Sequence, residues 1–178
     1  MSETAADHQG IETLPEMTGM AAARRGRHLR RVGVAALVVF VLLGASGLLG
    51  VREATTSASG GGYTASFSYP RIARAGWAVP WELRVTHPGG FDGAVTVAMS
   101  ADYFDIYESQ RFWPEPAQET RDRENLYLTF DEPPGDTLVV SYDAFIQPSA
   151  QTGRDVALTI VTDGVARVTL QASTVLLP

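Results

Sequence analysis

The side chains best equipped for chemistry crowd between Ala101 and Glu124 (ADYFDIYESQRFWPEPAQETRDRE). There Tyr103, Phe104, Tyr107, Phe112 and Trp113 stand among Asp102, Asp105, Glu108, Glu115, Glu119, Asp122 and Glu124, with Arg111, Arg121 and Arg123. Aromatic faces beside carboxylates suit a sugar platform, while Trp, Tyr and Arg together are the residue types that anchor protein interfaces. Tyr103, Tyr107, Arg111, Phe112 and Trp113 therefore form the candidate interaction patch. The competing account makes Phe104, Ile106 and Trp113 a cover over one open end of the fold, with the charges solvated. A loop of this length in a compact domain is usually functional or mobile, so the stretch stands apart from scaffold.

Other constellations are weaker. Asp102, Asp105 and Glu108 recur every third residue and offer oxygen ligands to calcium, but they lack the alternate-position acids and the turn glycine of an EF-hand loop. Surface carboxylates explain them better. His87 is the one histidine beyond the N-terminal region, and with Ser100 or Asp92 it supplies parts of a triad without any nucleophile-elbow motif. Glu115 and Glu119 resemble a glycosidase pair, yet any acidic loop would supply one, and a small β domain lacks the cleft for that reaction. The reading is of a non-enzyme: no catalytic residue, no metal and no cofactor.

Whatever these residues do, they do it behind an apolar segment. Val32–Val51 (VGVAALVVFVLLGASGLLGV) is twenty residues without a charge, the length a helix needs to cross about 30 Å of hydrocarbon. Arg24, Arg25, Arg27, Arg30 and Arg31 precede it, whereas Arg52 beside Glu53 is followed by no basic residue until Arg71. Arginines collect on the cytoplasmic flank, so the N-terminus is expected inside and the remainder outside: a single-pass signal-anchor protein of the plasma membrane. A cleaved signal peptide, cut near Ala45, Ser46 and Gly47, is the alternative, but both the leader and the apolar run are long for one. Small residues at Gly44, Ser46, Gly47 and Gly50 would also let a second helix approach, giving a helix-mediated homodimer.

On this reading residues 1–31 are a disordered cytoplasmic tail with a basic flank, 32–51 the transmembrane helix, 52–62 (REATTSASGGG) a flexible linker and 63–178 the exported domain. The chain has no cysteine and no lysine, and its fourteen basic residues are all arginine, as in proteins from high-GC genomes. An exported domain without disulfides depends on its core and strand pairing alone. Residues 52–178 hold nine Arg against sixteen Asp and Glu, which excludes nucleic acid and disfavours direct adhesion to anionic lipid.

From Tyr63 the pattern alternates with period two. Tyr63, Ala65, Phe67 and Tyr69; Val79, Trp81, Leu83 and Val85; Val95, Val97 and Met99; Leu126, Leu128 and Phe130; Leu138, Val140, Tyr142 and Ala144; Val156, Leu158 and Ile160; and Ala166, Val168, Leu170 and Ala172 each read as the inward face of a strand. Turn chemistry separates them, most clearly Asp163-Gly164. These features predict an all-β fold, a seven- to eight-stranded antiparallel immunoglobulin/fibronectin-III-like sandwich preceded by one transmembrane helix, with Trp81 and Tyr142 filling its centre. A barrel is the alternative.

The segments YPRIARAGWAVPWELRV, HPGGFDGAVTVAMS and FDEPPGDTLVVSYDAFIQP are similar to small single-pass membrane proteins of high-GC Gram-positive bacteria with an exported immunoglobulin-like sandwich. More loosely, Pro134-Gly135 before Leu138 resembles the turn of bacterial surface immunoglobulin-like modules. The resemblance implies no catalytic residues. The expected function is an extracytoplasmic, non-enzymatic interaction module for another envelope or membrane protein, or else a cell-wall glycan-binding module.

Overall fold

In a computed structural model of the chain, residues 17–45, 50–108 and 111–177 are described. They fall into two units, Met1–Leu49 and Gly50–Pro178. Residues 1–16, expected as tail, and Ser46 to Leu48, where a signal peptide would be cut, lie outside the described residues, as does one half of the Ser46/Gly50 pair.

The first unit holds one helix, α1 (Met17–Ala45), which starts within the stretch read as a disordered tail. Met20, three consecutive alanines and the arginines after them are strong helix formers, which carries the helix back past the basic block. Its His28–Ala45 segment is long and apolar enough to cross a membrane. At its far end the expected span is shortened: Gly50 is a bend, and Val51 packs half-buried against the β core of the second unit.

The second unit is β throughout, apart from one 3₁₀ turn. β1 (Arg52–Gly60) and β2 (Tyr63–Arg74) form a hairpin over Gly61 and Gly62, both at positive φ (56° and 84°), as a two-residue turn between twisted strands demands. The expected linker is thus a strand. Its small residues Ala54, Thr56, Ala58 and Gly60 alternate half-buried against exposed neighbours and pair with β2 from Ile72 back to Tyr63. Side chains this small gave no apolar signal, and only the Gly-Gly pair announced the turn.

β3 (Ala78–Val79) and β4 (Glu82–Thr86) are the expected Val79–Val85 strand, split at Pro80, which has no N–H to offer a ladder. β5 (Val95–Ser100) leads into the 3₁₀ turn η1 (Ala101–Ile106), then β6 (Phe112–Trp113) and β7 (Gln118–Arg121). β8 (Asn125–Phe130), β9 (Thr137–Tyr142), β10 (Ala144–Phe145), β11 (Arg154–Thr162) and β12 (Val165–Leu177) complete the chain. β11 and β12 meet over Asp163-Gly164, where both residues take positive φ (53° and 71°) and Thr162 faces Val165.

The all-β reading holds, but the strands do not divide clearly into the two sheets of a sandwich. Nine strands run in one mixed sheet in the order β6-β9-β4-β2-β12-β11-β5-β8-β7, with β1 added beside β2. The sheet curls as a half-barrel. The join is β2: residues 64–68 pair antiparallel with β4, whereas Ile72 to Arg74 pair parallel with Val175 to Leu177 of β12. Pro70 ends the first ladder, the β1 register slips opposite it, and the strand bends to a new partner. Alternation fixed which face of each strand points inward, but it carries no information about such a change of partner.

The core lies within the curl. Phe67, Leu83, Val85, Val97, Met99, Leu128, Val140, Leu158 and Ile160 are essentially sealed from solvent, and Trp81 and Tyr142 are buried among them as expected. Of the inward set, Tyr69 is half-buried and Ala166 is exposed, because a bulge between Ile160 and Val161 shifts the phase near the β11–β12 turn.

Candidate functional site

The stretch 101–124 divides between the inside and the outside of the fold. In η1 the backbone repeats every three residues, so Tyr103 and Ile106 turn inward while Asp102 and Asp105 turn outward. Glu108 follows, exposed. The three-residue spacing that suggested calcium ligands is thus the solvent side of a 3₁₀ turn. Asp105 is engaged elsewhere, accepting a bond from the Arg121 guanidinium at 3.1 Å. Among the described residues no three His, Asp or Glu side chains converge as a metal cage.

The candidate patch is accordingly corrected. Tyr103, Tyr107 and Phe112 are buried at 0%, 2% and 6% exposure, whereas Arg111 is exposed and Trp113 is 74% exposed. The buried three join an aromatic box around Trp81. Its indole meets Phe67, Phe112 and Tyr142 edge-on, with ring centroids 5.0, 5.8 and 5.8 Å away. Phe104, half-buried, closes the box against Tyr103, Phe112 and Tyr142. The covering role thus falls to Phe104 and Ile106, and Trp113 takes no part in it.

The buried phenols are satisfied in a chain: Tyr107 donates to the Tyr103 oxygen at 2.8 Å, and Tyr103 and the buried Thr174 hydroxyl lie 3.2 Å apart. Burial is the main cause that raises the pKa of both, and for Tyr107 the neighbouring Tyr103 phenol adds to it. Tyr142 donates to the Glu108 carbonyl at 3.1 Å, and the Gln147 amide donates to that of Tyr107 at 2.7 Å. These bonds tie the stretch after η1 to β9 and to the segment beyond β10.

Outside, Trp113 sits on β6, which pairs with β9 through Phe112↔Tyr142 and Trp113↔Ser141. The Ser141 hydroxyl donates to the Trp113 carbonyl at 3.3 Å, and the Trp113–Pro114 peptide is cis. β6 covers only the last two residues of β9. Along Thr137–Val140 the side of β9 away from β4 has no strand neighbour among the described residues. An exposed indole therefore stands at the end of an open strand edge.

The other candidates do not assemble. The His87 ring bonds through Nδ1 with the Gly90 carbonyl and lies against Tyr63, with ring centroids 4.2 Å apart. Ser100, at the far end of β5, accepts the Ala157 N–H at 3.0 Å. Glu115 and Glu119 are exposed, before and on β7 respectively.

Sequence reasoning passed over two features. A shallow groove of about 740 Å³ over β11 and β12 is lined by Tyr69, Arg71, Asp102, Asp155, Gln171 and Ser173. Trp77, in the turn before β3, is 53% exposed although its backbone is pinned by the Ile146 N–H at 2.9 Å. Period-two alternation marked Trp81 and left Trp77 outside any strand. No protein-family model matches the chain, and no curated protein matches it in sequence.

Proposed function

We propose that the chain is a single-pass plasma-membrane protein, N-terminus cytoplasmic, whose extracytoplasmic β domain is a non-enzymatic interaction module for another envelope or membrane protein. The observation that supports it is Trp113, a largely exposed indole at the end of an open β9 edge with Arg111 close by in sequence. An extended segment of a partner can add to such an edge through main-chain bonds, and an aromatic anchor supplies the affinity. The apolar half of α1, preceded within the helix by arginines, keeps the module at the bilayer, where a membrane partner is met.

Copurification from mild detergent, followed by mass spectrometry, tests the proposal. Trp113→Ala should weaken capture of the recovered partner by about 2 kcal/mol or more, roughly thirtyfold, while stability changes by less than about 0.5 kcal/mol. Capture unchanged by the substitution would remove this surface from the function.

A second reading, a cell-wall glycan module, is favoured by the groove over β11 and β12, where Arg71, Asp102, Asp155 and Gln171 offer hydrogen bonds beside the Tyr69 ring. It prevails if the protein purifies alone yet binds purified wall, and if Gln171→Ala rather than Trp113→Ala abolishes that binding.

A further inference from the structure

The end of the β domain at which the chain arrives from α1 carries its own surface chemistry. Arg52 opens β1 opposite Ile72, Ile72 faces Val175, and Arg74 faces Leu177. Beside them the indole of Trp77 shares a concavity of about 660 Å³ with Arg74, Ala75, Pro148, Ala150 and Leu177. Trp77 and Val175 are half or more exposed, and the Trp77 backbone is fixed by two-way bonding: Gly76 N–H to the Ile146 carbonyl at 3.0 Å, and Ile146 N–H to that of Trp77 at 2.9 Å. An exposed indole on a fixed backbone, beside Ala75, Pro148 and Ala150, is an anchor suited to an apolar phase.

Three arginines at this end are open to phosphate. The three ion pairs among the described residues use Arg84, Arg121 and Arg167, which leaves Arg52, Arg71 and Arg74 without a carboxylate partner there. The Arg74 Nε is buried with no hydrogen-bond acceptor. Glu53, Asp102, Asp105, Glu108, Asp122, Glu124, Asp143 and Asp155 also lie toward this end, as do Arg111, Arg121, Arg123 and Arg154, so acids and arginines nearly balance there. The opposite end differs: its turns carry Asp92, Asp131, Glu132, Asp136 and Asp163, drawn together by contacts such as His87 N–H to the Asp136 carbonyl at 2.9 Å, with Arg167 as counter-charge to Asp163. The nine residues of β1 put about 30 Å between the two ends. The net negative charge that disfavours lipid adhesion for the domain as a whole is thus weighted away from the Trp77 end, because arginines there nearly offset the acids and Arg167 alone does so at the other.

Reach completes the argument. With residues 52–60 folded as β1, residues 46–49 are what joins α1 to Gly50, a span of no more than about 18 Å when fully extended. On the reading of α1 as an anchor, we infer that the Trp77 end of the domain seats in the headgroup layer of that same bilayer. Trp77 and Leu177 lie at the hydrocarbon boundary, and Arg52, Arg71 and Arg74 meet lipid phosphates. Tryptophan favours that interface and guanidinium groups bind phosphate with two bonds at a time, so the ligand is the phospholipid surface itself.

The chain has no cysteine, so one introduced thiol takes a fluorophore cleanly. Full-length protein carrying Gln151→Cys, beside the concavity, or Glu132→Cys, at the acidic end, is labelled and reconstituted in phosphatidylcholine/phosphatidylglycerol vesicles. Lipid bearing a headgroup nitroxide should quench position 151 at least twofold more than position 132, and aqueous iodide should show the reverse order. Trp77→Ala should at least halve the nitroxide quenching at 151 without lowering the melting temperature. Iodide access at 151 equal to that at 132 overturns the inference, as does no response to Trp77→Ala. Shielding of 151 from both quenchers overturns it in favour of a protein occupant. Failure of the protein to float with the vesicles overturns the anchor as well, whereas flotation with a water-exposed 151 leaves the anchor standing and removes this inference alone.

Discussion

Trp81 shows what a single core residue carries. Buried at 4% exposure at the centre of the aromatic box, it packs against Phe67, Phe112 and Tyr142, and its Nε1–H has no acceptor. Trp81→Ala should cost about 3–5 kcal/mol in chemical denaturation, enough to unfold many disulfide-free domains. Trp81→Phe should cost much less, since it retains an aromatic ring and removes the orphaned donor. The buried phenols make a second prediction. Folding raises the Tyr103 and Tyr107 pKa values above the unfolded value of about 10, so their contribution to stability is intact below that pH and lost as pH rises beyond it. Absorbance at 295 nm should show both phenols ionising only together with unfolding, and Tyr107→Phe should flatten the alkaline decline. Trp81 and Tyr142 were legible in the sequence because each continues a period-two strand. Tyr103 was not, because acids at every third position masked the 3₁₀ repeat that turns it inward, and Tyr107, just past that turn, and Phe112, on the two-residue β6, belong to no period long enough to read. The signal was present in the Asp102, Asp105, Glu108 spacing, but as a solvent face rather than a ligand set.

Among the elements, β1 separates the two readings of residues 52–60 most sharply. Paired with β2 on one side, every second amide over 54–59 bonds across the ladder and should exchange with solvent at least a hundredfold more slowly than in a free linker, as amide exchange followed by mass spectrometry would record. Fast exchange across that segment would restore the linker. Close backbone approach makes a complementary test. A Cβ added at Gly153 would sit 1.8 Å from the Thr174 carbonyl oxygen, and one at Gly60 would sit 2.5 Å from that of Arg167. Gly153→Ala should therefore displace β12 and cost about 1–3 kcal/mol, with the melting temperature falling accordingly. Seven strands could be read from the sequence because large apolar side chains marked their inward faces. β1 was hidden by its small residues, while β3, β6 and β10 hold two residues each, too few to show any period.

For the whole molecule, the proposed topology places the arginine block inside and the acidic domain outside. Protease added to spheroplasts should remove a tag placed after Pro178 and spare one at the N-terminus, and a mature N-terminus near Ser46 to Leu48 would replace the anchor with a cleaved signal. Composition and alternation were sufficient to announce a β domain behind a hydrophobic helix. They did not distinguish a two-sheet sandwich from one curled sheet, because that choice rests on the three residues of β2, Ile72 to Arg74, that leave β4 behind and join β12. Pro70 marked the corner, but a proline in a strand reads equally as an edge or a bulge.

β12 pairs with β11 along most of its length and with β2 at its end, so it is the only strand joining β6-β9-β4-β2 to β11-β5-β8-β7 among the described residues. It is also the last strand in chain order, and Val175 meets Ile72 across more than a hundred intervening residues. A chain threaded outward N-terminus first, with α1 held in the membrane, would expose β1 to β11 as two unjoined sheet fragments until β12 emerged. Closing so long a loop is entropically costly and slow, and the unpaired edges of β2 and β11 would meanwhile be open to other chains. Vectorial export would thus impose a waiting period on this domain, during which a holding chaperone outside the membrane would have the most to protect.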